Sequence, residues 1–298
     1  MKRVSCTVLT LLMVFSILLG SCAPAATPEP EVITKVETRV VKETQVVKET
    51  VVIEPTAAPP EVPTVTYERN ETLYISGAAW GPPSDWNPFI TWSKANTSAT
   101  VGLIYETLFM FSPLTGEMIP FLAESGGWTD ANTYELMLRE GLTWQDGQPL
   151  TAGDVAFTFE LAQKFPALGF NDTWTVEGLT SITVVDDLNL QFEFTNPLYQ
   201  AWDDSLWHDA MVPKHLWEGK TEEEVTSGAN ENPVGSGAYM YETHSEDRNV
   251  WVRNEDWWGI DVFGKPAPKR IVDIRFASNN VALGSVVKGD LDLSNNFL

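Results

Sequence analysis

The sequence predicts an α/β fold with a substantial share of antiparallel sheet. Three observations support this class. Segments with strand-like alternation and segments with helical spacing of apolar residues are interspersed throughout residues 71–298. Turn signals such as Asp186-Asp187 join neighbouring strand segments. These roughly 228 residues are enough for one large core or two smaller ones.

The clearest local signals lie in residues 122–161. Tyr134, Leu136 and Leu138 occur at every second position, and this alternation predicts a short, half-buried strand. The dipeptide Asp146-Gly147 then predicts a turn, because it brings little side-chain bulk and glycine tolerates unusual backbone angles.

A helix is predicted to follow this turn. Thr151 is its expected N-cap, and Asp154 lies in the first turn, where the helix dipole favours a negative charge. The apolar residues then recur at helical spacing, at Val155, Ala156, Phe159 and Ala162. The order of elements in this region is therefore strand, turn and helix.

The same signals predict the remaining elements. Strands are expected over residues 72–78, 134–139, 182–185, 188–194, 237–243, 249–253 and 271–276. Helices are expected over residues 97–109, 151–164, 214–217 and 280–288.

The amino terminus predicts a secretory signal over residues 1–21. Lys2 and Arg3 form a positive start, and the apolar run 8–19 is too short to span a bilayer comfortably. Residues 19–22, Leu-Gly-Ser-Cys, resemble a bacterial lipobox. Cleavage before Cys22 would leave its thiol to carry diacylglycerol, which with a further acyl chain anchors a protein stably. An ordinary secretory signal cut nearby, or an uncleaved anchor, is the alternative.

The chain has only two cysteines, Cys6 within the signal and Cys22 at the proposed lipid site. No thiol is then left in residues 71–298 for a disulfide, a zinc site or a nucleophile. The stability of the exported domain must therefore come from its core.

Residues 22–70 are expected to be a disordered tether that carries the lipidated cysteine. Their composition is rich in Pro, Thr, Val and Glu, and the pattern Val-Val-Lys-Glu-Thr occurs at 40–44 and again at 46–50. Such a segment buries too little apolar surface to offset its ordering entropy. A short coiled coil is the alternative, although the repeat is not sustained over the three or four heptads that it needs.

Residues 71–298 carry 12 Lys and Arg against 33 Asp and Glu, so the predicted folded part has a net charge of about −21. Such a surface repels nucleic-acid phosphates and anionic lipid head groups. Nucleic-acid binding is therefore not expected, and the lipid rather than a basic patch would hold the protein at the membrane.

Catalytic motifs are missing from the sequence. Its three histidines form no HExxH pattern, and neither a G-x-S-x-G elbow nor a glycine-rich phosphate loop occurs. Residues 290–296 start like a calcium loop but lack the turn glycine and the final glutamate. We therefore expect no enzyme activity, cofactor or metal. The enzyme alternative is a glycoside hydrolase that uses Asp203-Asp204 or Asp85 as carboxylates.

The region between residues 122 and 161 also carries a family resemblance. It is similar to the family 5 extracytoplasmic solute-binding proteins of ABC importers, which bind peptides, nickel or oligosaccharides. The residues that carry it are Trp144, Asp146-Gly147, Leu150-Thr151-Ala152 and Asp154-Val155.

This resemblance covers roughly residues 73–298 and implies a two-lobed binding-protein fold. Lobe I would comprise residues 71–104 and 233–298, and an extra subdomain would comprise residues 105–232. Members of the family usually continue for a further couple of hundred residues, which supply the second lobe. The chain is therefore expected to be an N-terminal fragment without that lobe.

Candidate ligand-binding residues lie in a proline-rich segment, residues 80–92, which cannot be regular helix or central strand. Loops at strand ends line ligand clefts in α/β sheets. The flat indoles of Trp80 and Trp86 suit the apolar faces of pyranose rings, and Asn87 can hydrogen-bond sugar hydroxyls. Packing in the core is the alternative for both tryptophans. For Trp128, Trp144, Trp251, Trp257 and Trp258, core packing is the expectation.

Two further polar clusters follow later strands. Ser278 is a predicted helix N-cap beside Asn279 and Asn280, and Asn295 and Asn296 follow the next strand. Turn chemistry alone is the alternative for these asparagines. Together with residues 77–80, 83–88 and 232–237, the first cluster resembles the cello-oligosaccharide-binding branch of family 5.

The signal and lipobox-like residues, together with the family resemblance, predict a binding lipoprotein on the outer face of the cytoplasmic membrane, in the periplasm or at the cell surface. It would capture an oligosaccharide and deliver it to the permease subunits of an ABC importer. An oligopeptide-binding protein of the same family is the alternative. A cell-surface polysaccharide adhesin shares the tether and the aromatic residues and is a third possibility.

Overall fold

The computed structural model describes residues 67–77, 86–89, 101–165, 168, 178–197 and 199–294. The strands are β1 (Thr72–Ser76), β2 (Phe109–Ser112), β3 (Glu117–Pro120), β4 (Ala123–Trp128), β5 (Thr133–Leu138), β6 (Leu179–Val184), β7 (Asn189–Phe194), β8 (Tyr239–Ser245), β9 (Arg248–Arg253), β10 (Arg270–Ile274) and β11 (Leu293–Ser294). The helices are α1 (Val101–Ile104), α2 (Ala152–Lys164), α3 (Tyr199–His208), α4 (Lys214–Trp217), α5 (Glu222–Thr226), α6 (Ile260–Phe263) and α7 (Asn279–Lys288). The predicted α/β class is confirmed.

The first and last parts of the described chain build a five-stranded mixed sheet with the order β11-β1-β10-β9-β8. In this mixed sheet β1 runs parallel to both β10 and β11, whereas β9 is antiparallel to β10 and to β8. Helix α7 follows β10 and precedes β11. The carboxyl ends of β1, β10 and β11 consequently lie at the same end of the sheet.

The middle of the chain builds a four-stranded antiparallel sheet with the order β4-β5-β7-β6 and a separate β2-β3 hairpin. The buried face of the four-stranded sheet packs around Trp202 of α3, which is fully buried. The ring of Trp202 lies 4.8 Å from that of Phe192, 5.0 Å from Phe194 and 5.3 Å from Phe159 of α2. Aromatic burial of this kind dominates core energetics, so this cluster anchors the helices onto the sheet.

The strand, turn and helix predicted for residues 122–161 are all present. Tyr134, Leu136 and Leu138 of β5 are buried while the residues between them are exposed. Gly147 has a φ of +83° in the predicted turn. Thr151 caps α2, and the Asp154 carboxylate accepts hydrogen bonds from the Thr151 backbone N–H at 2.9 Å and from the Lys214 backbone N–H at 2.9 Å.

The chain crosses twice between the mixed sheet and the antiparallel sheet, at residues 104–108 and 234–238. The two crossings touch backbone to backbone, because the Gly237 N–H donates to the Ile104 carbonyl at 2.9 Å. A Cβ atom at Gly235 would lie 1.8 Å from the Ile104 carbonyl oxygen, and one at Gly237 would lie 2.3 Å from the Leu103 oxygen. Only glycine fits this close approach.

Gln145, in the turn before α2, hydrogen-bonds to the second crossing, at residues 234–238, and to the start of β8. Its side-chain N–H groups donate to the carbonyls of Gly237 at 3.0 Å and Tyr239 at 2.8 Å. Its side-chain oxygen accepts from the Gly235 N–H at 3.2 Å. One side chain thus bonds three backbone groups at the entry to β8.

The helix predicted over residues 97–109 is wrong beyond Ile104. Residues 105–108 leave the helix, and Phe109 begins β2. The reason is tertiary. The carbonyls of Ile104 and Glu106 accept hydrogen bonds from the backbone N–H groups of Gly237 and Met211, at 2.9 and 3.0 Å, instead of from the next helical turn.

Several elements carried no clear sequence signal and were not predicted. They are β2, β3, β4, α3, α5 and α6.

Glu106 in the first crossing is a fully buried carboxylate. It accepts hydrogen bonds from the indole N–H of Trp257 at 2.9 Å and of Trp258 at 2.7 Å, which ties the crossing to the loop after β9. Burial raises the pKa of Glu106 to about 8, although the two indole donors act in the opposite direction.

We predict that the free energy of unfolding falls as the pH rises from about 4.5 to 8, and that Glu106→Gln flattens this slope. The pKa of Glu106 is higher in the folded state than its ordinary value of 4.5. The folded state therefore holds a proton that the unfolded state releases, and the associated stability is complete below the lower pKa and lost towards the higher one. Urea unfolding at several pH values measures the slope.

Glu222→Gln is the matched control, because it removes a carboxylate that is exposed on α5. Its slope should equal that of the unmodified protein. A Glu106→Gln variant that keeps the original slope would contradict the assignment.

Candidate ligand-binding site

Polar residues lie at one end of the mixed sheet, where β1, β10 and β11 reach their carboxyl ends. We call this group the polar end of the sheet. It comprises Ser76, Asn249, Asp273, Ser278, Asn279, Asn280 and Ser294. Ligands of open α/β sheets characteristically bind outside the carboxyl ends of the strands. The polar end is therefore the candidate ligand-binding site.

Ser76 and Ser294 form the part of the polar end that lies at β1 and β11. They are paired across the parallel strands β1 and β11, and the Ser76 hydroxyl donates to the Ser294 hydroxyl at 3.2 Å. Ser76 is only 1 % exposed. The two hydroxyls thus join the strands at the rim of the site.

Ser278 is the N-cap of α7, as predicted, and its side chain accepts a hydrogen bond from the Val281 N–H. Asn279 and Asn280 form the first turn of the helix, and both are exposed. Their amides can donate and accept at once, next to a helix N-terminus that presents backbone N–H groups. This arrangement suits hydroxyl-rich or carbonyl-rich ligands.

Asn249 and Asp273 are paired with each other across β9 and β10 at the same end of the sheet. Because Asp273 also pairs with Ile75, these two side chains lie on the opposite face of the sheet from Ser76. Both are fully buried. Neither amide atom of Asn249 has a hydrogen-bond partner in the described part of the chain. A buried amide without hydrogen-bond partners costs free energy. An apolar side chain at position 249 would fill the core at a lower cost.

Asn249 and Asp273 were not predicted as site residues from the sequence. The available signal was one polar residue in each of two otherwise apolar strands, Asn249 in β9 and Asp273 in β10. Pairing between them places the two side chains together, and pairing cannot be deduced from one strand alone.

Trp86 differs from the prediction that it lines the cleft. It is only 2 % exposed, and its ring packs 4.5 Å from that of Tyr241 and 6.0 Å from that of Trp251, measured between ring centres. The predicted alternative, packing in the core, is the arrangement in this structure. The face of the indole that would stack on a sugar is already covered by protein.

Asn87 is also buried rather than directed at a ligand. Its side-chain N–H groups donate to the carbonyls of Val225 at 2.8 Å and Gly228 at 3.0 Å, and its oxygen accepts from the Phe89 N–H at 2.9 Å. Asn87 therefore holds its own segment against residues 225–228. In this structure the side chains of Trp86 and Asn87 therefore pack within the protein instead of facing a ligand.

Four predicted site residues lie outside the described residues. They are Cys22, Trp80, Asn295 and Asn296. For the tryptophans expected in the core, Trp144, Trp251 and Trp257 are buried, while Trp128 and Trp258 are half-buried.

The carboxylates of the hydrolase alternative do not form a site in the described residues. Asp203 and Asp204 are neighbours on α3, so their side chains point about 100° apart around the helix. Partial burial, with a smaller effect of Asp204, raises the pKa of Asp203. Asp85 lies outside the described residues. In the part of the chain that the structure describes, no three His, Cys, Asp or Glu side chains are grouped to hold a metal ion.

The described helices also include none with the length and apolar character needed to cross a membrane.

Solved structures of similar proteins share this fold. A periplasmic oligopeptide-binding protein of an oligopeptide ABC transporter from Thermotoga maritima, crystallised with bound mannohexaose, is 49% identical with a TM-score of 0.71. The match covers 78% of this chain and 43% of that protein. NikZ from Campylobacter jejuni, solved with Ni(L-His), shares the fold at 23% identity and a TM-score of 0.64.

Curated relatives point in the same direction. The peptidoglycan-binding protein YepA of Agrobacterium fabrum is 28% identical over 234 residues, which cover 74% of this chain and 37% of that protein. The dipeptide-binding protein of Escherichia coli is 24% identical over 205 residues, covering 60% of this chain and 37% of its own length. This chain thus spans well under half the length of these relatives.

The family model described as bacterial extracellular solute-binding proteins, family 5, middle region, matches residues 117–298. That match covers more than half of the chain and includes both the antiparallel sheet and most of the mixed sheet. The chain belongs to the family 5 bacterial extracellular solute-binding proteins.

Proposed function

We propose that the whole protein is the substrate-binding component of an ABC importer and that its ligand is an oligosaccharide. The observation that carries the sugar assignment is the bound mannohexaose in the 49% identical protein from Thermotoga maritima. In addition, the exposed part of the polar end consists of hydroxyl and amide groups, at Ser278, Asn279 and Asn280. Neutral donors and acceptors match sugar hydroxyls.

Ligand contacts are proposed for Asn279 and Asn280, with Ser278 fixing the helix that presents them. Trp80, Asn295 and Asn296 remain proposed contacts from the sequence. Residues 71–104 and 233–298 would form lobe I, and residues 105–232 the extra subdomain. In support, the strands of the mixed sheet fall within the first two ranges, and those of the antiparallel sheet fall within the third.

A peptide ligand is the second candidate. The same Thermotoga maritima protein is described as oligopeptide-binding, and the Escherichia coli relative binds dipeptides by name. Peptide recognition needs charged partners for the two termini. The exposed part of the polar end offers amides and hydroxyls instead, which favours the sugar.

The prediction is that full-length protein binds mannohexaose or cellohexaose with one-to-one stoichiometry, and that the double variant Asn279→Ala/Asn280→Ala binds about tenfold or more weakly. Each hydrogen bond contributes about 0.5–1.5 kcal/mol net, and about 1.4 kcal/mol is a tenfold change. Isothermal titration calorimetry measures both quantities. Asn196→Ala, at an exposed asparagine beyond β7, is the matched control and should bind like the unmodified protein.

Binding of tripeptides without binding of either sugar would overturn the oligosaccharide assignment. If mass spectrometry detects shortened sugars in the calorimeter cell after the titration, the protein would instead be a hydrolase. Binding to insoluble cellulose in preference to soluble oligomers would indicate an adhesin.

We also propose that Cys22 carries a lipid that anchors the protein to the outer face of the cytoplasmic membrane. The lipobox-like residues 19–22 support this proposal. Protein expressed in a bacterial host with radiolabelled palmitate should incorporate label and partition into detergent. Cys22→Ser should lose both properties, whereas Cys6→Ser should keep them. Labelling that survives in Cys22→Ser would refute the anchor.

A further inference from the structure

We propose that β4 is an open sheet edge to which an extended, positively charged segment of another protein adds as a strand. This site lies on the antiparallel sheet and is independent of the oligosaccharide function. Three features of the described residues support it: an unpaired edge, a groove on each side of that edge, and a one-sided charge.

The outer edge of β4 has no strand partner among the described residues. β4 pairs with β5 on one side only. The Ala123 N–H donates to the Leu108 carbonyl at 3.0 Å and closes the start of the edge, and the turn from Thr129 to Thr133 closes its end. Glu124 to Gly127 are left exposed, a length of about 13 Å at 3.3 Å per residue.

This edge is only partly protected: it has the charge of Glu124 and a register shift between Ala123 and Ser125, but neither lysine nor proline. Edge strands are commonly shielded by lysine, proline or an inward charge, because their free N–H and C=O groups would otherwise pair with another chain. Here Gly126 and Gly127 provide no side chains. At Gly126 a Cβ atom would lie 2.5 Å from the Tyr134 hydroxyl, so a side chain does not fit. At Gly127 there is open space for one.

A groove runs along each face of the same edge. The inner groove, about 460 Å³, is lined by Phe109, Met118, Tyr134 and Leu206 together with Ser125 to Trp128 of β4. The outer groove, about 580 Å³, shares those four residues of β4 and continues over Glu135, Met137 and Gln191. Side chains of an added strand alternate between the two faces, so each groove would receive every second one.

The charges that line the two grooves indicate which kind of segment can bind at β4. The inner groove contains Glu124 and Asp203, and the outer groove contains Glu135. No Lys, Arg or His is among the residues that line either groove. Pairing with β4 of a second copy would bring like charges together, at Glu124 among others, whereas a cationic segment would be attracted. Charge complementarity thus favours an extended cationic segment of a different protein over a second copy.

The test uses a fluorescein-labelled hexapeptide of alternating lysine and valine, blocked at both ends, and fluorescence anisotropy with the full-length protein. The unmodified protein should bind it one to one, and binding should weaken with added salt. The same peptide with every backbone nitrogen methylated keeps the charge but cannot donate to β4. It should bind at least tenfold more weakly.

Gly127→Lys should also weaken binding at least tenfold, because it fills the outer groove and brings a positive charge to the edge. Gly102→Lys is the matched control: Gly102 is exposed on α1 with nothing within 4 Å, and the change in net charge is the same. This control should bind like the unmodified protein. So should Asn279→Ala/Asn280→Ala, which separates this site from the proposed sugar site.

Several results would overturn the proposal. One is equal binding of the methylated peptide, which would mean attraction by charge alone. Others are unchanged binding by Gly127→Lys, no binding by the unmodified protein, or a dimer of this chain that Gly127→Lys dissociates.

Discussion

Two backbone segments approach each other closely between the sheets, and the arrangement of both sheets follows from this contact. The first segment ends α1 and leads to β2, and the second returns to β8. They touch at Gly235 and Gly237, where any side chain would collide with the carbonyls of residues 103 and 104. Because the chain leaves the mixed sheet and returns at one place, a whole antiparallel sheet can be inserted without interrupting the order of the mixed sheet.

This crossing is satisfied by specific polar partners instead of by a regular ladder. Gln145 bonds three backbone groups of the returning segment, and the buried carboxylate of Glu106 receives two indole N–H groups. Each partner comes from a different part of the chain. The mixed sheet is thereby held in a fixed place relative to α2 and the loop after β9, and the polar end is built on a rigid support.

The sequence predicted elements whose signals are local. Alternation in β5 and the Thr151 cap of α2 depend on neighbouring residues, and both were correct. The helix over residues 97–109 failed because distant N–H groups take the carbonyls of Ile104 and Glu106. β4 gave no signal, since its exposed glycines have neither alternation nor β propensity. In the candidate site, the sequence indicated Ser278, Asn279 and Asn280 at the start of α7, and the Ser278 cap is confirmed. It did not indicate the burial of Trp86 or the pairing of Asn249 with Asp273, because both depend on tertiary contacts.

We propose that ligand binds at the carboxyl ends of the parallel strands in the mixed sheet. Hydrogen–deuterium exchange of the full-length protein, with and without saturating mannohexaose, can locate the bound ligand. If it binds there, the backbone amides in residues 275–281, at the start of α7, should exchange more slowly, and exchange in β4 to β7 should be unchanged. Protection confined to β4 to β7, with none at the start of α7, would contradict it.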